Sequence, residues 1–166
     1  MTSDENELFS NLVLEYRARL FRIAMGILQS NADAEDAVSE AIYKAFINFS
    51  RLKNINSFKP WIIKILVNEA YAITNKRKKF VSLDESFIVQ DDMSTLIDTL
   101  ALWNAINLLK EDFRIVVILF YYEEMSIKEI SKILNIPIGT VNSRLDRSRQ
   151  KLKQYLLMKG DVYYGW

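Results

Sequence analysis

The chain has no cysteine and no histidine. Disulfides, thiolate nucleophiles and imidazole bases are thereby excluded, together with the usual zinc and haem ligands. A metal site would have to be built from carboxylates alone. Only four glycines and two prolines occur among 166 residues. None of them makes a Gly-rich run, which leaves no phosphate-cradling loop and no dinucleotide turn. No apolar stretch approaches the ~20 residues that a membrane-spanning helix needs. The opening segment, Met1 to Asn11, is polar and acidic, unlike a secretory signal. These absences point to a cytoplasmic protein that does not insert into membranes, is not an enzyme, and uses no metal or cofactor. Half of the residues are hydrophobic, enough for one domain or two small helical ones.

No charge of one sign dominates, since 22 basic residues face 21 acidic ones for a net of +1. The balance hides an uneven distribution. Residues 1 to 79 hold 12 basic and 9 acidic side chains, residues 80 to 99 none and 5, and residues 100 to 166 hold 10 and 7. From Ser126 to Lys159 there are 8 basic and 2 acidic residues, a local +6, the kind of footprint that a nucleic-acid face requires.

That segment also carries the most informative pattern. Ser126 with Glu129 three residues later forms a capping box, and Ile127, Ile130, Ile133 and Leu134 give the helix that follows one apolar stripe. Asn135 to Ile138, with Pro137, is long enough only for a sharp turn. In the next helix Val141, Leu145, Ser148, Leu152 and Leu156 recur at helical spacing, which leaves Gly139, Ser143, Arg147 and Gln150 on the opposite side, flanked by Thr140, Arg144 and Lys151. This is the pattern of a helix-turn-helix reader of duplex DNA. Small residues at the start of the second helix let the backbone approach the groove, and arginines bond guanine edges or phosphates. The plainer alternative is a helical hairpin with a solvated basic face.

The N-terminal half predicts three or four helices. Thr2 with Glu5 makes another capping box, and the stripe from Phe9 through Leu12, Val13, Tyr16, Leu20, Ile23, Ala24 and Ile27 is expected to break once into two helices. Asp33 is the expected cap of the next helix, with Val38, Ile42, Ala45, Phe46 and Phe49 on its buried face and Glu35, Asp36, Ser39, Glu40 and Tyr43 outside. A polar loop, Phe49 to Ser57, leads to a helix capped by Ser57 that tolerates Pro60 in its first turn and ends in Lys76, Arg77, Lys78 and Lys79. An aromatic residue and amides followed by four cations suit a single-stranded nucleic acid: rings stack on bases, amides read their edges, cations follow phosphates. A core role for Trp61 and a merely solvated helix end remain the alternatives. Residues 80 to 94 are acidic and aperiodic and suggest a linker, the alternative being a long ordered loop within one domain.

Three segments, DAEDAVSEAIYKAF (33 to 46), FKPWIIKILVNEA (58 to 70) and SIKEISKILNIPIGTVNSRLDRSRQKL (126 to 152), together resemble the extracytoplasmic function sigma factors of the sigma-70 family. The resemblance spans nearly the whole chain. It implies an all-α protein of two small domains, a sigma-2-like domain over 1 to 79 and a sigma-4-like helix-turn-helix domain over 95 to 166, joined by an acidic linker at 80 to 94. The implied partners are core RNA polymerase, promoter DNA in duplex and single-stranded form and, for many members, an anti-sigma factor. By the same resemblance, Asp36, Ser39, Glu40 and Tyr43 face the polymerase. Arg51, Lys53, Asn54 and Asn56 of the loop, with Trp61, Asn68, Asn75, Lys76, Arg77, Lys78 and Lys79, lie at the minus-ten element. Gly139, Thr140, Asn142, Ser143, Arg144 and Arg147 read the minus-thirty-five element.

The chain departs from the family pattern at several places. Ala72 stands where an aspartate is usual four residues after Asn68, Asn75 precedes Lys76-Arg77 in place of paired arginines, Lys110 follows Leu109 where proline is common, Pro137 replaces a hydroxyl cap, and Asn142 replaces a frequent lysine. Two other classes share part of the pattern. A LuxR-type regulator would bind duplex DNA without polymerase, and a helical adaptor would use its basic helix on an acidic partner. The first leaves the 33 to 46 motif unexplained, the second the Gly139-Thr140 start and the arginine spacing.

Overall fold

The computed structural model describes residues 1–80 and 97–158, and every regular element among them is helical. The chain divides into two compact units, Met1–Ile88 and Val89–Trp166. The linker expected at 80 to 94 lies almost wholly outside the described residues.

The first unit packs three helices, α1 (Ser3–Leu28), α2 (Asn31–Asn48) and α3 (Phe58–Phe80). The Thr2–Glu5 capping box is present: the Glu5 N–H donates to Thr2 Oγ1 at 3.2 Å and the Thr2 N–H to Glu5 Oε2 at 2.8 Å. The stripe that follows does not break. One 26-residue helix carries it, because no helix-breaking residue interrupts the backbone ladder and the apolar face stays continuous, from buried Phe9 through half-buried Leu12, Val13 and Tyr16 to fully buried Leu20, Ile23 and Ala24. Gln29 closes the helix in the left-handed region at φ 50°.

The cap of α2 is Ser30, not Asp33. Ser30 takes the extended backbone a cap requires and its hydroxyl accepts the Asp33 N–H at 3.4 Å, which leaves the Asp33 carboxylate free to pair with Arg77. The buried face of α2 is lined by Ala34, Ala37, Val38, Ala41 and Ala45. Small side chains let α1 and α3 approach closely, and their larger Leu20, Ile23, Ile62, Ile63 and Leu66 fill the core. Phe46, expected inside, is 43% exposed, since the alanine stripe rather than the aromatic one faces the bundle. Phe49 is buried, but in a 3-10 turn (Phe49–Arg51) beyond the helix. The entry to α3 runs through a second 3-10 turn, Ile55–Ser57. Its cap is Asn54, which accepts the Asn56 N–H at 3.0 Å, so Asn54 rather than Ser57 makes the capping bond.

The second unit contains α4 (Ile97–Leu108), α5 (Glu111–Val117) continuing into a π-helical turn (Ile118–Tyr122), α6 (Ile127–Leu134) and α7 (Ile138–Met158). Ile106, Ile115, Ile118, Leu119, Ile130 and Leu145 are fully buried between them. Arg114 is buried and donates to the Leu109 carbonyl at 2.7 Å and the Asn107 carbonyl at 3.3 Å, satisfying acceptors that the end of α4 leaves open.

Candidate nucleic-acid interface

The helix-turn-helix forms as its local signals dictate. Ser126 and Glu129 make the reciprocal box, with the Glu129 N–H on Ser126 Oγ at 3.2 Å and the Ser126 N–H on Glu129 Oε2 at 2.8 Å. Asn135 ends α6 in the left-handed region at φ 54°, a conformation asparagine tolerates better than most residues. Ser131 ties the turn by donating to the Ile136 carbonyl at 2.6 Å. The Pro137 carbonyl accepts the Thr140 and Val141 N–H groups at 3.0 and 3.1 Å and so opens α7.

Val141, Leu145, Ser148, Leu152 and Leu156 are the buried residues of α7, as their spacing predicts. Ser148 fits there because its hydroxyl donates to the Arg144 carbonyl at 2.6 Å and lies 3.3 Å from that of Phe113. Opposite, Gly139, Asn142, Ser143 and Arg147 are exposed, with Thr140 and Arg144 at the flank. A methyl group on Gly139 would meet nothing within 4 Å. Packing inside the unit therefore does not require a glycine, although glycine costs a helix up to about 1 kcal/mol relative to alanine. Arg147 has no ion pair among the described residues, whereas Arg144 Nη2 lies 3.5 Å from Asp112. Arg149 serves the fold: it donates to the Tyr121 hydroxyl at 2.6 Å and to Asp146 at 2.8 Å, and its guanidinium lies over the Phe120 and Tyr121 rings.

In the first unit, a groove of about 620 Å³ brings together Arg51, Lys53, Trp61 and Asn68 from the expected minus-ten set. Trp61 is half-buried and leans on Phe58 with ring centroids 6.0 Å apart. Phe58 is itself fully buried against Phe9, Tyr16 and Phe49 in edge-on and tilted contacts, so the indole is backed by a buried aromatic cluster. Asn54 and Asn56 are exposed in the preceding turn, and Asn75, Lys76, Lys78 and Lys79 are exposed near the end of α3. Arg77 is different. It pairs with Asp33 and donates to the Leu28 carbonyl at 3.2 Å, pinning the end of α3 to the junction of α1 and α2.

Asp36, Ser39 and Glu40 line a second groove of about 630 Å³ with Ala72, Ile73 and Lys76. Tyr43 stands nearby on α2, 59% exposed. Lys44 and Glu69 border both grooves, and neither was singled out by sequence. Lys44 Nζ donates to Glu69 Oε1 at 2.7 Å and lies 3.7 Å from Glu40. That hydrogen bond to Glu69, reinforced by the charges of Glu69 and Glu40, raises the Lys44 pKa above its ordinary value. Among the described residues no group of carboxylates is arranged to hold a metal ion.

The two units contain two recognised protein regions. Residues 12–79 match the model of Sigma-70 region 2, and residues 99–152 match that of Sigma-70, region 4. SigW of Bacillus subtilis, an ECF RNA polymerase sigma factor, is 29% identical over 92% of this chain and 90% of its own. The ECF sigma-E factor of Escherichia coli is 24% identical over 89% and 86%. The sigma factor RpoE of Bartonella quintana, solved with the anti-sigma factor NepR, superimposes with a TM-score of 0.77 at 27% identity over 90% of this chain and 96% of that one. The chain belongs to the sigma-70 family, in its extracytoplasmic function group. It is an RNA polymerase sigma factor, which binds core polymerase and directs promoter recognition and transcription initiation through the minus-ten and minus-thirty-five elements. A LuxR-type regulator is not favoured, because it has no account of the region 2 match.

Proposed function

We propose that the work is divided among three surfaces. Gly139, Thr140, Asn142, Ser143, Arg144 and Arg147 read the duplex minus-thirty-five element from the first turns of α7. The groove around Trp61 and Asn68, entered past Arg51, Lys53, Asn54 and Asn56, takes the unpaired minus-ten strand, with Asn75, Lys76, Lys78 and Lys79 along its backbone. Arg77 supports that surface from the fold side. Asp36, Ser39, Glu40 and Tyr43 dock on the polymerase. The domains run from 1 to 79 and 95 to 166, joined by the acidic stretch 80 to 94. The protein works in the cytoplasm and makes no bond itself.

Capture of a displaced base offsets the few kcal/mol that unstacking costs, which biases the duplex toward opening. The observation that carries this reading is the convergence of a braced indole, an amide and two exposed cations around one groove. An anti-sigma factor is a further partner, as NepR is for RpoE of Bartonella quintana. Asp36→Lys and Glu40→Lys, each reversing a charge on the second groove, test the docking surface: both should abolish co-elution with core polymerase while the helical spectrum is retained. Wild-type co-elution would remove these residues from the polymerase interface.

A further inference from the structure

Glu69 follows Asn68 on α3 and lies between the two grooves with its side chain 17% exposed. One carboxylate oxygen, Oε1, is held by Lys44 at 2.7 Å, while Oε2 has no hydrogen bond among the described residues. A carboxylate is a poor choice for a surface that follows phosphates unless it has a specific acceptor task. Stability does not explain it well, because an ion pair whose lysine is 43% exposed to water is screened by solvent and contributes little. The Asn48 amide donates to the Lys44 carbonyl at 2.9 Å, which fixes the turn of α2 from which the lysine reaches across.

We propose that Glu69 is a specificity-determining residue of the minus-ten groove: its free oxygen accepts a hydrogen bond from the exocyclic amino group of an unpaired base and so selects against thymine. Adenine, cytosine and guanine each carry such an amine on the pairing edge. Thymine flanks its single N–H with two carbonyl oxygens, which a carboxylate repels. Lys44 is a positioning residue. By holding Oε1 it fixes which oxygen faces the groove and neutralises a charge that would otherwise repel the strand. The inference rests on the assignment of the groove to the unpaired strand.

The test uses the complete sigma factor bound to core polymerase and synthetic promoter DNA in which the non-template minus-ten segment is already unpaired and randomised. Bound molecules are sequenced. Wild type should disfavour thymine at one position, on the order of tenfold relative to amino-bearing bases. In Glu69→Gln, Lys44 keeps the amide oxygen and an N–H2 takes the place of Oε2, so the disfavour should disappear at that position and persist in no altered form elsewhere. Lys44→Met should weaken the same preference without moving it to another position. Preferences unchanged in Glu69→Gln, while Trp61→Ala and Asn68→Ala weaken capture of the strand, overturn the inference alone. No effect of Trp61→Ala or Asn68→Ala on capture overturns the groove assignment and the inference with it.

Discussion

Arg144 and Asp112 form an ion pair of 3.5 Å between α7 and the first turn of α5, with the arginine side chain 25% and the aspartate 63% exposed. A cation assigned to DNA is thus partly neutralised by its own fold. Binding a phosphate or a guanine requires Arg144 to exchange that partner. The exposed carboxylate makes the pair weak in water, so the exchange costs little, but it lowers the positive potential of the reading face before contact.

Asp112→Asn should therefore tighten binding of duplex minus-thirty-five DNA several-fold, with the gain largest at low salt and a steeper dependence of affinity on salt concentration, since one more cation is available to displace counterions. Fluorescence anisotropy across a salt series measures both. The fold should lose no more than about 1 kcal/mol, from the missing negative charge at the start of α5. An unchanged salt slope would mean that Arg144 does not contact the phosphates.

Arg147→Ala, which removes an exposed guanidinium with no ion pair among the described residues, should leave the urea midpoint of the second unit unaltered and weaken promoter-directed binding by ~1 to 3 kcal/mol. Arg149→Ala should do the reverse. Its bonds to Tyr121 and Asp146 and its place over two rings make it a fold residue, so denaturation should report its loss first. Equal destabilisation by both substitutions would contradict the division of the helix into a reading side and a packing side.

Gly139→Ala separates stability from recognition at one atom. The added methyl group meets nothing within 4 Å, so alanine should stabilise the unit by roughly 0.5 to 1 kcal/mol through its better helix propensity. Transcription from the cognate promoter should nevertheless fall, because the backbone can no longer approach the groove as closely. Thermal unfolding and runoff transcription on the same preparation give the two answers, and a variant both more stable and fully active would show that the glycine is not at the DNA.

At the end of α3, Arg77→Ala should destabilise the first unit by about 1 to 2 kcal/mol, since it breaks a part-buried pair with Asp33 and the bond to the Leu28 carbonyl. Replacing Lys76 and Lys78 together should not move the urea midpoint, but should loosen open complexes and make their salt dependence shallower. Permanganate reactivity of unpaired thymines follows the opening, and an unchanged slope in the double variant would take these lysines off the strand.

Some of this was legible in the residues themselves and some was not. The capping boxes at Thr2 and Ser126, the turn at Asn135 to Pro137 and the buried stripe of α7 depend on neighbours within four residues. Hydrogen bonds and side-chain rows at that range are set by helix geometry alone, so the sequence determined the all-α character and the helix-turn-helix. The groove could be anticipated only as a set of residue types. That Arg51, Lys53, Trp61 and Asn68 share one cleft, that Glu69 meets Lys44 from 25 positions away, and that Asp33 bonds Arg77 instead of capping its own helix were decided by how the helices pack. Polar side chains choose among partners within reach, and which partners are within reach is fixed by the close approach that the alanines of α2 allow, not by order along the chain.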